Sequence, residues 1–281
     1  MKKWIALLAL CALLLTACGT APQDTGPAVA ATTAPLAQFL EALCENTDIQ
    51  VDLVISEPVS CLHDYSLTVG QMRIVGSADC LFVSGAGLEE FMADALSQAK
   101  ATVDCSQGVD LLELDGEPDP HIWLAPKNAE VMAKNAAEGL AALYPQYGDT
   151  FRENLTALTA RLEDLQQYGE DSLKDLSCRE LITFHDGFAY FAQAFDLTIL
   201  ASIEEESGSE ASAKSLAEIS TLVQTHNIPV VFTETNGSTA GAEAIARETG
   251  CGLSTLSTGL GGGDYFDTLR QNIDAVKEAL S

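Results

Sequence analysis

"DTFRENLTALTARLEDLQQYGEDSLK", residues 149–174, is the stretch whose reading decides the fold. Apolar side chains fall at Phe151, Leu155, Leu158, Leu162, Leu165 and Leu173, with Tyr168 between, largely at spacings of three and four. Arg152, Glu153, Arg161, Glu163 and Asp164 occupy the opposite face. This is the apolar stripe of one helix. At 1.5 Å per residue it reaches roughly 35–40 Å, more than one small lobe requires. The stretch therefore reads as a backbone helix that joins two α/β lobes.

The flanking sequence agrees. Short apolar runs at 50–55, 80–85 and 109–114 precede the helix, and runs at 180–185, 197–203, 230–235 and 252–257 follow it. Between them lie amphipathic segments such as 88–100, 126–143, 212–225, 238–249 and 264–280. Near-continuous apolar strands alternating with helices indicate parallel sheets flanked by helices. We expect an N-terminal α/β lobe over 35–148, a linking helix over 149–176 and a C-terminal α/β lobe over 177–281. No internal repeat of fixed period is present.

The N-terminus reads as an address. Lys2 and Lys3 precede "WIALLALCALLL", and "LTAC" at 15–18 has the small-residue-then-cysteine pattern of a lipoprotein cleavage site. Residues 1–17 are expected to be a signal peptide, with Cys18 the acylated residue that anchors the mature chain to the membrane. Residues 18–34, small, polar and Pro-bearing, read as a flexible tether. With 41 acidic against 14 basic residues the chain carries a formal charge of −27. Nucleic acid and anionic lipid headgroups would be repelled by such a surface, so no nucleic-acid partner is expected. Beyond Cys11 and Cys18, six cysteines stand at 44, 61, 80, 105, 178 and 251, none in a C-x-x-C pair. That disfavours a thiolate zinc knuckle and leaves disulfide pairing open.

Histidine is scarce: positions 63, 121, 185 and 226. His63 follows the strand 50–55 and the turn at Pro58, His121 follows the run 109–114, and His185 ends "ELITFH". All three sit at carboxyl ends of strands, where parallel α/β sheets build their ligand crevices. His226, in "QTHNIP", lies at the other edge and reads as a helix-capping or surface residue. Three imidazoles, two before the linking helix and one after it, would converge in an inter-lobe cleft. Such a set suits Zn²⁺ and leaves one position for a carboxylate or water.

Several segments resemble the cluster A-I solute-binding lipoproteins of zinc and manganese ABC importers. "HDYSLTVGQMRIVGSADCLFVSGAGLEEFM" (63–92) is similar to that family's first metal-histidine segment, "DPHIWLAPKNAEVMAKNAAEGL" (119–140) to its second, and "TFHDGFAYFAQAFDL" (183–197) to its third. The likeness continues through "EEESGSEASAKSLAEI", "VVFTETNGSTAGAEAIARETG" and "GGGDYFDTLRQNIDAV", and so covers nearly all of 40–281. The resemblance implies that His63, His121 and His185 are metal ligands and that Zn(II) is a transported cargo. It also implies delivery to an ABC permease with its ATPase subunit, from a lipid-anchored monomer at the extracytoplasmic face of the cell membrane.

Two departures from the family pattern matter. Ser257, in "STLSTGLGGG", stands where many members place an aspartate ligand, which leaves the fourth position to water or to Glu234 at the end of "VVFTE". Where many zinc members carry a histidine-rich loop, this chain has the acidic "ELDGEPDP" (113–120). Manganese members carry a carboxylate at the third ligand position, so the nitrogen donor of His185 favours zinc, with manganese or iron as the alternative. A zinc hydrolase, with Glu234 as general base, is the reading from a different class. It lacks any compact H-E-x-x-H motif, and we do not expect an enzyme.

Overall fold

The computed structural model describes residues 27–59, 62, 65–114, 116–204 and 211–281. The signal peptide, Cys18, Cys61 and His63 lie outside the described residues.

The first lobe is built on a four-stranded parallel sheet of order β2-β1-β3-β4. Its strands are β1 (Ala28–Ala31), β2 (Gln50–Leu53), β3 (Cys80–Val83) and β4 (Thr102–Asp104). Helix α1 (Ala34–Leu43) follows β1, and α2 (Val69–Ser77) leads into β3. A 3-10 turn over Leu88–Met92 and the short α3 (Ala93–Leu96) connect β3 to β4. Two sequence expectations are corrected here. The tether does not extend to residue 34, because Ala28–Ala31 is an inner strand whose Val29, Ala30 and Ala31 are fully buried. Nor is 109–114 a parallel strand. Only Glu113–Leu114 (β5) pairs, antiparallel with Glu117–Pro118 (β6), while the fourth parallel strand is the shorter β4.

At the carboxyl ends of β1 and β3 lies a buried acid. Glu89 accepts hydrogen bonds from the backbone N–H groups of Ser84 and Gly85 (2.8 and 3.0 Å) and from the Thr32 hydroxyl (2.6 Å). Burial nevertheless pushes its carboxyl up to about 7.

Helix α4 (Pro126–Leu143) leads to the long helix α5 (Gly148–Leu173), 26 residues in length. The helical stripe turns its apolar side chains inward as the periodicity predicts: Phe151, Leu158, Leu162, Leu165 and Leu173 are buried. The second lobe has two parallel strand pairs, β7 (Glu180–Thr183) with β8 (Thr198–Ser202) and β9 (Val230–Glu234) with β10 (Gly252–Leu256). β7 lies beside β9. The helices of this lobe are α6 (Ala189–Ala194), α7 (Ala213–His226), α8 (Ala240–Thr249) and α9 (Tyr265–Leu280). The long helix packs against α1 and α4 of the first lobe and α9 of the second. One apolar core consequently runs through both lobes, with a smaller cluster around Ile182, Ile219 and Val231 in the second.

Among the described residues no helix is long and apolar enough to cross a membrane. Cys44, Cys80, Cys105, Cys178 and Cys251 are free thiols, and burial pushes Cys44 and Cys80 up to about 12 and about 11.

Candidate metal centre

His185 lies two residues past the end of β7, with its backbone carbonyl held by the Thr183 hydroxyl at 2.9 Å. His121 precedes the 3-10 turn Ile122–Leu124 that opens onto α4. The two come from different lobes, yet both are buried and their ring centroids stand 5.2 Å apart at 67°. Trp123 packs 5.5 Å from the His121 ring, and Phe188 stands 5.9 Å from that of His185. These apolar walls keep water from screening the polar groups between them.

A buried carboxylate stands behind each ring. Asp119 Oδ1 accepts the His121 backbone N–H at 2.9 Å and lies 2.9 Å from His121 Nδ1. Glu234, the last residue of β9, forms an ion pair with His185 Nδ1. A carboxylate at Nδ1 favours the tautomer with its proton there and leaves the lone pair on Nε2. Among the described residues His185 Nε2 is buried with no hydrogen-bond partner. Gly187 borders the same side of both rings. A Cβ at that position would come 2.4 Å from His185 Nε2 and 3.0 Å from both Nε2 and Cε1 of His121, so both Nε2 atoms border the space that the glycine leaves open.

The electrostatics follow from the burial. Desolvation alone would lower His185, but contact with the Glu234 carboxylate, aided by Asp186 and Asp119, holds it above its ordinary value. Burial raises Asp186, while the positive character of His185 and His121 works in the other direction.

The structure brings together His121, His185 and Glu234 of the sequence-identified residues. Glu234 is placed on the Nδ1 side of His185, behind the ring rather than beside the free Nε2. Ser257 accepts the Gly259 N–H at its hydroxyl (3.2 Å), so its side chain serves its own turn. His226 closes α7 at the far end of β7, where Nδ1 stands 3.1 Å from the Glu180 carboxylate. With His63 undescribed, no group of three or more His, Cys, Asp or Glu that could hold a metal ion occurs among the described residues. The sequence reading missed Asp119, Asp186 and Gly187. Asp119 had a signal, since an aspartate two residues before a histidine can bond forward to its backbone.

Two α/β lobes on one long helix, with paired imidazoles buried between them, define a two-lobed solute-binding protein. The family model for the periplasmic zinc-uptake complex component A matches residues 29–279, and the chain belongs to that family, ZnuA. The high-affinity zinc uptake system protein ZnuA of Bacillus subtilis is 29% identical, over 99% of this chain and 98% of its own length. The zinc-binding lipoprotein AdcA of Streptococcus pneumoniae is 27% identical over 99% of this chain, which spans 61% of that longer protein. Among solved structures, a crystal structure of ZnuA superposes with a TM-score of 0.82 at 30% identity, covering 91% of this chain and 100% of the other. The laminin-binding protein Lmb of Streptococcus agalactiae gives 0.83 at 25% identity, with the same coverage.

Proposed function

We propose that the protein captures one Zn²⁺ at the extracytoplasmic face of the cell membrane and delivers it to the permease of an ABC importer driven by its ATPase subunit. His121 and His185 bind the cation through Nε2, and His63 supplies the third nitrogen. The observation that carries this reading is that the Nε2 atoms of two buried histidines both border the space beside Gly187, each ring backed by a carboxylate. Zinc binds imidazole at about 2.0–2.1 Å and is commonly held by histidines that donate their other N–H to a carboxylate. Glu234 and Asp119 fill that supporting role, and water takes the fourth position. An all-nitrogen protein set favours zinc over manganese.

A first shell completed by water suits a carrier, because a closed four-ligand site would hold its cargo too firmly to surrender it. The lipid anchor at Cys18 and a monomeric state belong to the same reading, as does the absence of catalysis. The test is metal analysis of the untagged chain with Zn²⁺ and Mn²⁺ in competition. One equivalent of zinc is expected, lost in His121→Ala and retained in His226→Ala. Full zinc affinity in His121→Ala would sink the assignment.

A further inference from the structure

The antiparallel pair β5–β6 runs in the register Glu113↔Pro118 and Leu114↔Glu117. One step outward, Leu112 stands opposite Asp119. Every second pair in such a ladder exchanges two backbone hydrogen bonds, and alternation from Leu114↔Glu117 makes Leu112↔Asp119 one of these. Only one of the two bonds is direct: Asp119 N–H donates to the Leu112 carbonyl at 2.8 Å. The other is relayed through a side chain from the opposite lobe. Leu112 N–H donates to the Tyr190 hydroxyl at 2.9 Å, and that hydroxyl donates onward to the Asp119 carbonyl at 3.0 Å. Tyr190, on α6 and fully buried, thus inserts its oxygen into a β-ladder of the first lobe.

The insertion bears on the metal centre through one residue. The carbonyl that Tyr190 holds belongs to Asp119, whose carboxylate fixes both the backbone N–H and Nδ1 of His121. Tyr190 also lies five residues beyond His185 in the same segment. We propose that Tyr190 is a positioning residue for metal binding, which sets the orientation of His121 through Asp119 and ties it to the lobe that carries His185. This inference rests on the reading of His121 as a ligand. A tyrosine hydroxyl can serve because it donates and accepts at once, whereas a phenylalanine ring in the same place can do neither.

The geometry separates positioning from mere support. In Tyr190→Phe the two released groups, Leu112 N–H and Asp119 C=O, can bond to each other and restore the ordinary ladder. The fold then keeps its hydrogen bonds, but Asp119 moves toward Leu112 and carries the His121 orientation with it. The experiment measures zinc dissociation from the full mature chain by transfer to a chromophoric chelator, alongside the melting temperature of the metal-free form.

Tyr190→Phe should raise the off-rate roughly three- to tenfold, up to the lower limit of the roughly 10- to 100-fold that loss of a ligand's direct supporting partner costs, because Tyr190 acts one step further away. Its metal-free melting temperature should stay near that of Tyr168→Phe, a control whose hydroxyl donates to Asp274 on the surface, away from the candidate site. In an Asp119→Asn background the Tyr190→Phe effect should vanish, since both act through one path. An unchanged off-rate, or an effect that persists in full in that background, overturns the proposal. Should Tyr190→Phe fail to fold, amide exchange in the parent decides. Leu112 N–H should be protected and become more so with zinc, and fast exchange in the zinc-loaded chain overturns the proposal. Loss of zinc binding in His121→Ala with no change in Tyr190→Phe would defeat this inference alone. A parent chain that binds no zinc would defeat the reading of the site as well.

Discussion

At the scale of the residue, the centre is governed by which protons its buried groups hold. His185 stands above its ordinary value through Glu234, and burial raises Asp186 and takes Glu89 to about 7. Each therefore binds more protons in the folded metal-free chain than in the unfolded one. The His185 pair contributes stability that is present below the unfolded value of about 6.5 and is lost as pH rises through the folded value. For the two carboxyls, the cost of burying a charge is relieved as pH falls. The melting temperature of the metal-free chain should thus rise as pH falls from about 8 to about 6. The increment added by zinc should shrink over the same window, because protons compete for the imidazoles. In Glu234→Gln that shrinkage should begin at lower pH, with affinity down roughly 10- to 100-fold. A zinc increment that stays constant with pH would argue that imidazoles are not the ligands. His185 was legible in the sequence because histidine is scarce and it follows a strand, whereas His121 was reached through the run 109–114, which is not a parallel strand. Asp119 was harder to pick out: its spacing to His121 was the one signal, and within the acidic run "ELDGEPDP" a carboxylate looks like any other solvated charge.

Elements show the same division. The long helix could be read directly, since seven inward residues keep one period across 26 positions. The strand Ala28–Ala31 could not. Three alanines around a single valine give no alternation, and their burial comes from the strands on either side. "VDLLEL" misled for the opposite reason: it is apolar enough for a core strand, but Leu111 is exposed and only its last two residues pair. The consequence for the fold is testable by truncation. A chain starting at residue 35 lacks an inner strand of the four-stranded sheet and should show no cooperative unfolding by circular dichroism. A chain starting at residue 27 should unfold in one transition. Cooperative unfolding of the shorter chain would mean that β1 is dispensable.

For the whole molecule, the dominant quantity is the formal charge of −27. Spread over the surface, it attracts a divalent cation from a distance, and salt screens that attraction beyond about 8 Å at physiological ionic strength. Zinc association should slow several-fold between about 10 mM and 300 mM salt, while dissociation from the buried site changes little. Equal sensitivity of both rates in stopped-flow measurements would remove steering from the account. Fold class and two-lobe architecture were readable at this scale, since alternating strands and helices leave few arrangements. The direction in which the His185 imidazole faces was not, because it depends on contacts between residues far apart in the chain: His185 meets Glu234 across 49 positions, just as Trp123 beside His121 is held by Thr258 across 135. Gly187 carries the sharpest consequence of that packing. Its missing side chain leaves open the space beside both Nε2 atoms, and even one methyl group there would stand against them. On the proposed reading of the site, drift at position 187 is therefore closed in a single step: a side chain there would take the room meant for the cargo while leaving the lobes and the helix their own contacts.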